Sequence, residues 1–171
     1  LNVIDYIAIA TIGNAIDFGD LTVARWGVAA CSSPTRGVFG GGSTGVNIIE
    51  YITISTASNT SDFGDLTVGR YYLSACSSST RGVFGGGIST NNIIDYITIS
   101  TTGNATDFGD LTTARRRLTA CSNSTRGVFG GGDIDDTRAN VIDYITIDTP
   151  GNAIDFGDLI AARWGVAACS N

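Results

Sequence analysis

The sequence predicts an all-β protein, a β-propeller with about four repeats of which the last is incomplete, and three observations lead to this fold class. The octapeptide TRGVFGGG occurs three times, at 35–42, 80–87 and 125–132. The asparagines at equivalent places are spaced by 45, 45 and 48 residues, at Asn2, Asn47, Asn92 and Asn140. No stretch shows helical periodicity, and four antiparallel strands in a repeat of about 40–50 residues are typical of a propeller blade.

Each unit contains four strand candidates separated by turn signals. In the first unit they lie at 2–9, 17–22, 26–31 and 36–39. The first is rich in β-branched and aromatic residues, and a Gly13-Asn14 turn joins it to the second, in which Phe18 and Leu21 are candidates for burial. The third is small and apolar, and the fourth stops at three glycines, which permit positive φ and close backbone approach.

The repeats form one domain that spans 1–171. Its units lie at 2–46, 47–91, 92–139 and 140–171. The alternative architecture is a β-solenoid or an open repeat array. One observation favours the array, because ARWGVAACS occurs at 24–32 and again at 162–170, whereas the two middle copies differ. A higher-order repeat of three units would produce that pattern.

The order of elements in each unit resembles the kelch repeat. The shared features are a diglycine that ends an apolar strand, a later tyrosine, and an arginine that opens the inner strand. They lie at 40–41, 85–86 and 130–131, at Tyr6, Tyr51, Tyr96 and Tyr144, and at Arg25, Arg70, Arg115 and Arg163. The family's later tryptophan is replaced by Phe18 and its copies. The regular sequence of the units also resembles kelch-like repeats in phage and metagenomic virion proteins.

This resemblance implies three complete four-stranded blades, at 25–66, 70–111 and 115–159. Two N-terminal strands and the segment 163–169 are then left over, and pairing them would form a fourth blade from both ends of the chain. That blade would lack the fourth copy of TRGVFGGG. The alternatives are a window on a longer array, or a subunit whose unfinished repeat is completed by a neighbouring copy.

The units differ from one another mainly in two places, the loop after the glycines and the start of the small-residue strand. The loop at 133–139 carries three extra residues. In a kelch-like blade both places would open on one face, where loops commonly carry binding. We therefore expect glycan or protein to bind there, the alternative being blade packing and solvated loops. The candidates are Arg25, Trp26, Arg70, Tyr71, Tyr72, Arg116, Arg117, Asp133, Asp135, Asp136, Arg138, Arg163 and Trp164.

Composition excludes several kinds of chemistry. All ten basic residues are arginine, and the chain has neither lysine nor histidine. The Asp-Phe-Gly sequences are therefore not part of a kinase, the glycines are not a phosphate-binding loop, and a histidine-assisted nucleophile is excluded. The net charge of −6 argues against nucleic acid as a partner. We expect no cofactor, metal or membrane insertion, with a calcium-binding role for the aspartates at 133–136 as the less favoured alternative.

The functional expectation is a non-enzymatic structural or adhesive module on a virion or cell surface. The first alternative is a subunit that assembles into a filament, and the weaker one is a glycan-active enzyme that uses aspartate pairs such as Asp17 and Asp20. Each unit also carries one cysteine after a small residue, which we interpret as a buried free thiol. These are Cys31, Cys76, Cys121 and Cys169.

Overall fold

The structure, a computed structural model, describes residues 1–43, 45–88 and 92–170. Parts of the variable loops at 43–46 and 88–91 lie outside the described residues. No described residue lies in a helix. The strands are β1 (Val3–Tyr6), β2 (Ile16–Asp20), β3 (Ala29–Ser32), β4 (Arg36–Gly40), β5 (Ile48–Thr53), β6 (Ser61–Asp65), β7 (Ser74–Ser77), β8 (Arg81–Gly85), β9 (Ile93–Thr98), β10 (Thr106–Asp110), β11 (Thr119–Ser122), β12 (Arg126–Gly130), β13 (Asp133–Ile134), β14 (Thr137–Arg138), β15 (Val141–Thr146) and β16 (Ile154–Asp158).

Twelve of these strands form three antiparallel, four-stranded sheets. Sheet 1 has the order β3-β4-β5-β6, sheet 2 the order β7-β8-β9-β10, and sheet 3 the order β11-β12-β15-β16. Each sheet is a meander, because neighbouring strands follow one another along the chain, apart from the β13-β14 hairpin inserted in sheet 3. The predicted all-β class is confirmed, and the sheets fall within the predicted blades 25–66, 70–111 and 115–159.

The two predicted remnants do not pair with each other. β1 and β2 form a two-stranded sheet of their own, and none of the residues 163–170 lies in a strand. The fourth blade considered from the sequence is therefore not formed, and no sheet is closed in the described part of the chain. What the structure contains is three blade-like sheets in series, preceded by a two-stranded sheet.

The Asp-Phe-Gly sequence of each unit is a β-bulge. In sheet 1 the register runs from Ile49 opposite Gly64 to Glu50 opposite Asp62, so Phe63 is the extra residue on the bulged strand. Gly64 takes a φ of 144°, which side chains rarely tolerate. The bulge turns Phe63 into the core, where its ring meets the edge of Tyr51 with centroids 5.9 Å apart. A local backbone requirement thus explains why the motif recurs.

Successive sheets pack by setting a phenylalanine of one sheet onto a glycine of the sheet before it. Phe84 covers Gly40, where a Cβ atom would lie 2.7 Å from the ring, and Phe129 covers Gly85 in the same way. Both phenylalanines are fully buried, whereas Phe39, on sheet 1, is only partly buried. Burying one such side chain contributes about 1.5–3 kcal/mol, so each sheet is stabilised by the next.

The inner strands β3, β7 and β11 lie side by side and carry three of the four cysteines. The Ser77 hydroxyl donates to the Ser32 carbonyl over 2.8 Å, which ties β7 to β3. Cys31 and Cys76 are free and buried, as predicted, whereas Cys121 is half-buried and Cys169 is exposed. Burial raises the pKa of the Cys31 thiol to about 12, because the thiolate would lose its hydration.

Candidate binding face

The arginine that opens each inner strand is a buried structural residue. Arg25 pairs with Glu50 at 2.9 Å and Arg70 with Asp95 at 2.7 Å, with both side chains of each pair almost fully enclosed. The third copy, Arg115, lies 2.8 Å from Asp143. Buried charges require such partners, because an unpaired ion in the interior is costly. Arg25 and Arg70, both candidates for binding, thus hold the third strand of each sheet against the first and do not face solvent.

The fourth arginine of this series, Arg163, has a different environment. Its side chain is exposed, and its Nε donates to the Ala161 carbonyl over 3.2 Å. Asp5, in β1, holds the place in its unit that Glu50 and Asp95 hold in theirs, and it is also exposed. Arg163 and Asp5 are therefore exposed copies of the arginine and the carboxylate that form a buried ion pair in the other units.

In every unit, the residue two positions after the arginine of this series has a left-handed backbone conformation. The φ angles are 67°, 59°, 54° and 61° at Gly27, Tyr72, Arg117 and Gly165. A hydrogen-bond ladder joins these positions, because the Tyr72 N–H donates to the Gly27 carbonyl over 2.9 Å and the Arg117 N–H to the Tyr72 carbonyl over 2.9 Å. Left-handed backbone costs a tyrosine or an arginine about 1–2 kcal/mol, and strain of this kind concentrates at functional sites.

The side chains on this ladder form what we call the aromatic–arginine face, made of Trp26, Tyr71, Tyr72, Arg117 and Trp164. The ring centroids of Trp26 lie 5.0 Å from Tyr71 and 5.1 Å from Tyr72. The Arg117 guanidinium lies 4.7 Å from the ring centroids of both Tyr72 and Trp164. Trp26 is 54% exposed and Trp164 is 40% exposed, so the face offers flat apolar surface to solvent.

A cavity of about 320 Å³ opens within this face. Its lining consists of two neighbouring positions from each of the four units, Gly27, Val28, Tyr72, Leu73, Arg117, Leu118, Gly165 and Val166. All four units therefore contribute to one cavity at this level. A cation, an aromatic ring and apolar side chains meet in the same cavity.

The three-residue insertion of the third unit forms the hairpin β13-β14 beside this cavity. Asp135 and Asp136 occupy its turn with φ angles of 47° and 62°, as a two-residue hairpin requires. The side chain of Asp133, fully buried, accepts hydrogen bonds from Arg116 Nε at 2.8 Å and Arg117 Nη1 at 3.1 Å. Asp136 pairs with Arg116 from the solvent side. The insertion thereby fixes the direction of both arginines.

A second cavity, of about 350 Å³, lies against the same hairpin and is lined in part by Arg116, Asp133 and Asp135. Arg138, on β14, reaches towards the face and lies 5.9 Å from the Trp164 ring centroid. Since Arg116 and Arg117 are consecutive, one buried carboxylate organises the walls of both cavities. Five candidates line these cavities, namely Tyr72, Arg116, Arg117, Asp133 and Asp135. Trp26, Tyr71, Asp136 and Trp164 contact the lining side chains, whereas Arg163 lines neither cavity.

The predicted proximity of the two variable regions is observed. The Ser43 N–H donates to the Trp26 carbonyl over 2.8 Å, and the Ile88 N–H donates to the Tyr71 carbonyl over 2.8 Å. The carboxylates that neutralise the buried arginines were not identified from the sequence. The constant separation of 25 residues between Arg25 and Glu50, repeated between Arg70 and Asp95, was a signal that could have found them.

A scan of the sequence against protein-family models found no match, and a search of curated proteins found no relative. In the segments that the structure describes, no helix is long and apolar enough to cross a membrane.

Proposed function

We propose that this chain is a non-enzymatic, kelch-like propeller module that binds carbohydrate through the aromatic–arginine face. The observation that carries the proposal is the cavity to which all four units contribute the same two positions. A cavity to which every unit contributes supports a propeller, whose blades are arranged about a common centre. The order of elements within each unit, which resembles the kelch repeat, supports the same architecture.

The chemistry of the face suits a sugar. Aromatic rings offer rigid apolar area for the C–H faces of a pyranose, and arginine offers several directed donors for its hydroxyl groups. Trp26 and Trp164 supply exposed rings, and Arg117 lies between Trp164 and Tyr72. The aromatic–arginine face therefore presents both kinds of contact that a carbohydrate needs.

The face is also preorganised. Asp133 holds Arg117, and the backbone ladder fixes the strand starts from which Tyr72 and Arg117 project. Groups that are fixed before binding lose less conformational freedom when a ligand arrives, which favours affinity. A virion or cell-surface location, where such a module would serve adhesion, rests on the resemblance of the repeats to virion proteins.

A glycan array followed by titration calorimetry on the best glycan tests this proposal. Trp26→Ala should weaken binding at least about tenfold, because a stacking ring is lost. Phe156→Ala is the matched control, since Phe156 is exposed to the same degree, 55% against 54% for Trp26, and lies outside the face. Absence of any glycan ligand, or equal loss with both variants, would overturn the proposal, as would a protein ligand bound in place of sugar.

The non-enzymatic part of the proposal has its own test. The best glycan, incubated with the chain, should be recovered intact by mass spectrometry. Cleavage that disappears in Asp17→Asn would establish the glycan-active enzyme in its place.

A further inference from the structure

Neighbouring units dock through a contact that occurs three times and that we call the clasp. The bulged strand of one unit lies on the turn that precedes the bulged strand of the next. In each clasp an aspartate N–H of the strand donates to an asparagine Oδ1 of the turn over 3.1 Å. The pairs are Asp20 with Asn59, Asp65 with Asn104, and Asp110 with Asn152.

Backbone groups complete the clasp. The Ala105 N–H donates to the Asp65 carbonyl and the Gly103 N–H to the Phe63 carbonyl, each over 2.7 Å. The approach is so close that a Cβ atom on Gly64 would lie 2.5 Å from the Gly103 carbonyl. The contact depends on backbone geometry, on a glycine and on the asparagine side chain, so every unit with the same sequence presents the same surface.

Both halves of a fourth clasp are present and uncovered. On β16, a Cβ atom on Gly157 would meet nothing within 4 Å, although its φ of 133° matches that of the docked glycines. Phe156 is 55% exposed, whereas its copies Phe18, Phe63 and Phe108 are 8%, 2% and 3% exposed. At the other side of the repeat series Ala15, which follows Asn14 in the turn, is exposed, whereas its copies Thr60 and Ala153 in docked clasps are buried.

The charges beside these two halves also match. Arg163 follows β16, and Asp5 precedes the Asn14 turn in β1. The three other arginines of this series are buried against carboxylates of the series to which Asp5 belongs. The uncovered surfaces are therefore complementary in backbone geometry, apolar area and charge.

We propose that β16 of one copy docks on the Asn14 turn of a second copy, so that the chain associates head to tail. The occupant is a second copy because the clasp is already the interface between consecutive units. The uncovered β16 of one copy needs a turn like that at Asn14, and the second copy presents this turn uncovered. Docking covers Phe156 and brings Arg163 towards Asp5 of the second copy. Since the contact is heterologous, each copy added leaves one half of each kind free, so that assembly continues as an open array or until the free ends meet in a ring.

Light scattering over a concentration series tests the proposal on the full chain. The mass should rise above 17.7 kDa as concentration increases. Phe156→Ala and Asn14→Glu should each weaken association at least about tenfold, since one removes buried apolar area and the other places charge and bulk in the clasp. Trp26→Ala is the matched control that should associate like the unaltered chain. A mass of 17.7 kDa at every concentration would overturn the proposal.

Mixing the two variants separates head-to-tail docking from other modes. The Phe156→Ala copy keeps an intact turn, and the Asn14→Glu copy keeps an intact β16, so an equimolar mixture should form a dimer that grows no further. A mixture that stays monomeric, or that grows into longer assemblies, would contradict the proposed pairing. Circular dichroism melts of both variants verify that they are folded. Because Trp26→Ala affects glycan binding and Phe156→Ala affects association, failure of one proposal is distinguishable from failure of the other.

Discussion

Arg70 and Asp95 form an ion pair of 2.7 Å in which neither side chain has exposed surface. The pair joins the residue that opens the inner strand β7 to the third strand of the same sheet. The Thr67 hydroxyl donates to the free oxygen of the Asp95 carboxylate over 2.5 Å, and Arg70 also donates to the Phe84 carbonyl over 3.2 Å. The arginine thereby organises the centre of the sheet.

Arg70→Ala should lower the free energy of unfolding by about 3–5 kcal/mol, because it leaves the Asp95 carboxylate buried without its partner. Arg163→Ala is the matched control, since Arg163 holds the same place in its unit but is exposed, and its cost in the dilute, monomeric chain should stay within about 0.5 kcal/mol. Urea denaturation followed by circular dichroism measures both values. Equal costs would contradict the structural role of the buried pair.

The bulge glycines allow the clasp to be tested separately from the backbone conformation. Gly64→Ala and Gly157→Ala both place a side chain at positive φ, at 144° and 133°, which costs about 1–3 kcal/mol. Within a single copy, only at Gly64 would the new Cβ atom also collide with a neighbouring unit, at 2.5 Å from Gly103, so both variants are compared at a dilution where the chain is monomeric. Gly64→Ala should therefore lower the thermal midpoint clearly more than Gly157→Ala does. A matching loss in both variants would show that the clasp contributes little.

Much of this fold could be predicted because its determinants are local and repeated. The positions of Phe63 and Leu66 follow from the pattern of one unit, and both are buried as their copies Phe18 and Leu21 suggested. The bounds of the three sheets follow from the repeat. The predicted strand at 26–31 is observed only as Ala29–Ser32, because the left-handed residue at Gly27 delays the start of the strand.

What could not be predicted depends on contacts between units. The conformation of Tyr72 and Arg117 is left-handed although neither residue favours it, because the hydrogen bonds of the neighbouring units override local preference. The partners of the buried arginines require the register of the third strand. Asp133 looked like one of several loop aspartates, yet the hairpin buries it between two arginines.

The buried thiol of Cys31 should make stability depend on alkaline pH. Its pKa is raised from 9.0 to about 12, so above pH 9 the unfolded state loses the proton first and binds fewer protons than the folded state. The free energy of unfolding should therefore fall between about pH 9 and pH 12, by up to about 1.4 kcal/mol per pH unit for this group.

Urea titrations at several alkaline pH values measure this slope. Cys31→Ala should show a shallower decline than the unaltered chain, because the titrating group is gone. Cys169→Ala should decline like the unaltered chain, since Cys169 is exposed. A slope that Cys31→Ala leaves unchanged would mean that other groups produce the alkaline loss of stability.

Asp133 should matter for binding at the aromatic–arginine face even though it is buried beneath it. Asp133→Ala frees Arg116 and Arg117 from the carboxylate that orients them, so affinity for a glycan should fall about tenfold as ordering the guanidinium groups opposes binding. Asp136→Ala is the matched control, because its exposed carboxylate contacts Arg116 from solvent, and surface ion pairs of this kind contribute about 0–1 kcal/mol. Calorimetry on both variants provides the comparison. If Asp136→Ala costs as much affinity as Asp133→Ala, the acidic hairpin acts through its net charge and not through the position in which Asp133 holds the arginines.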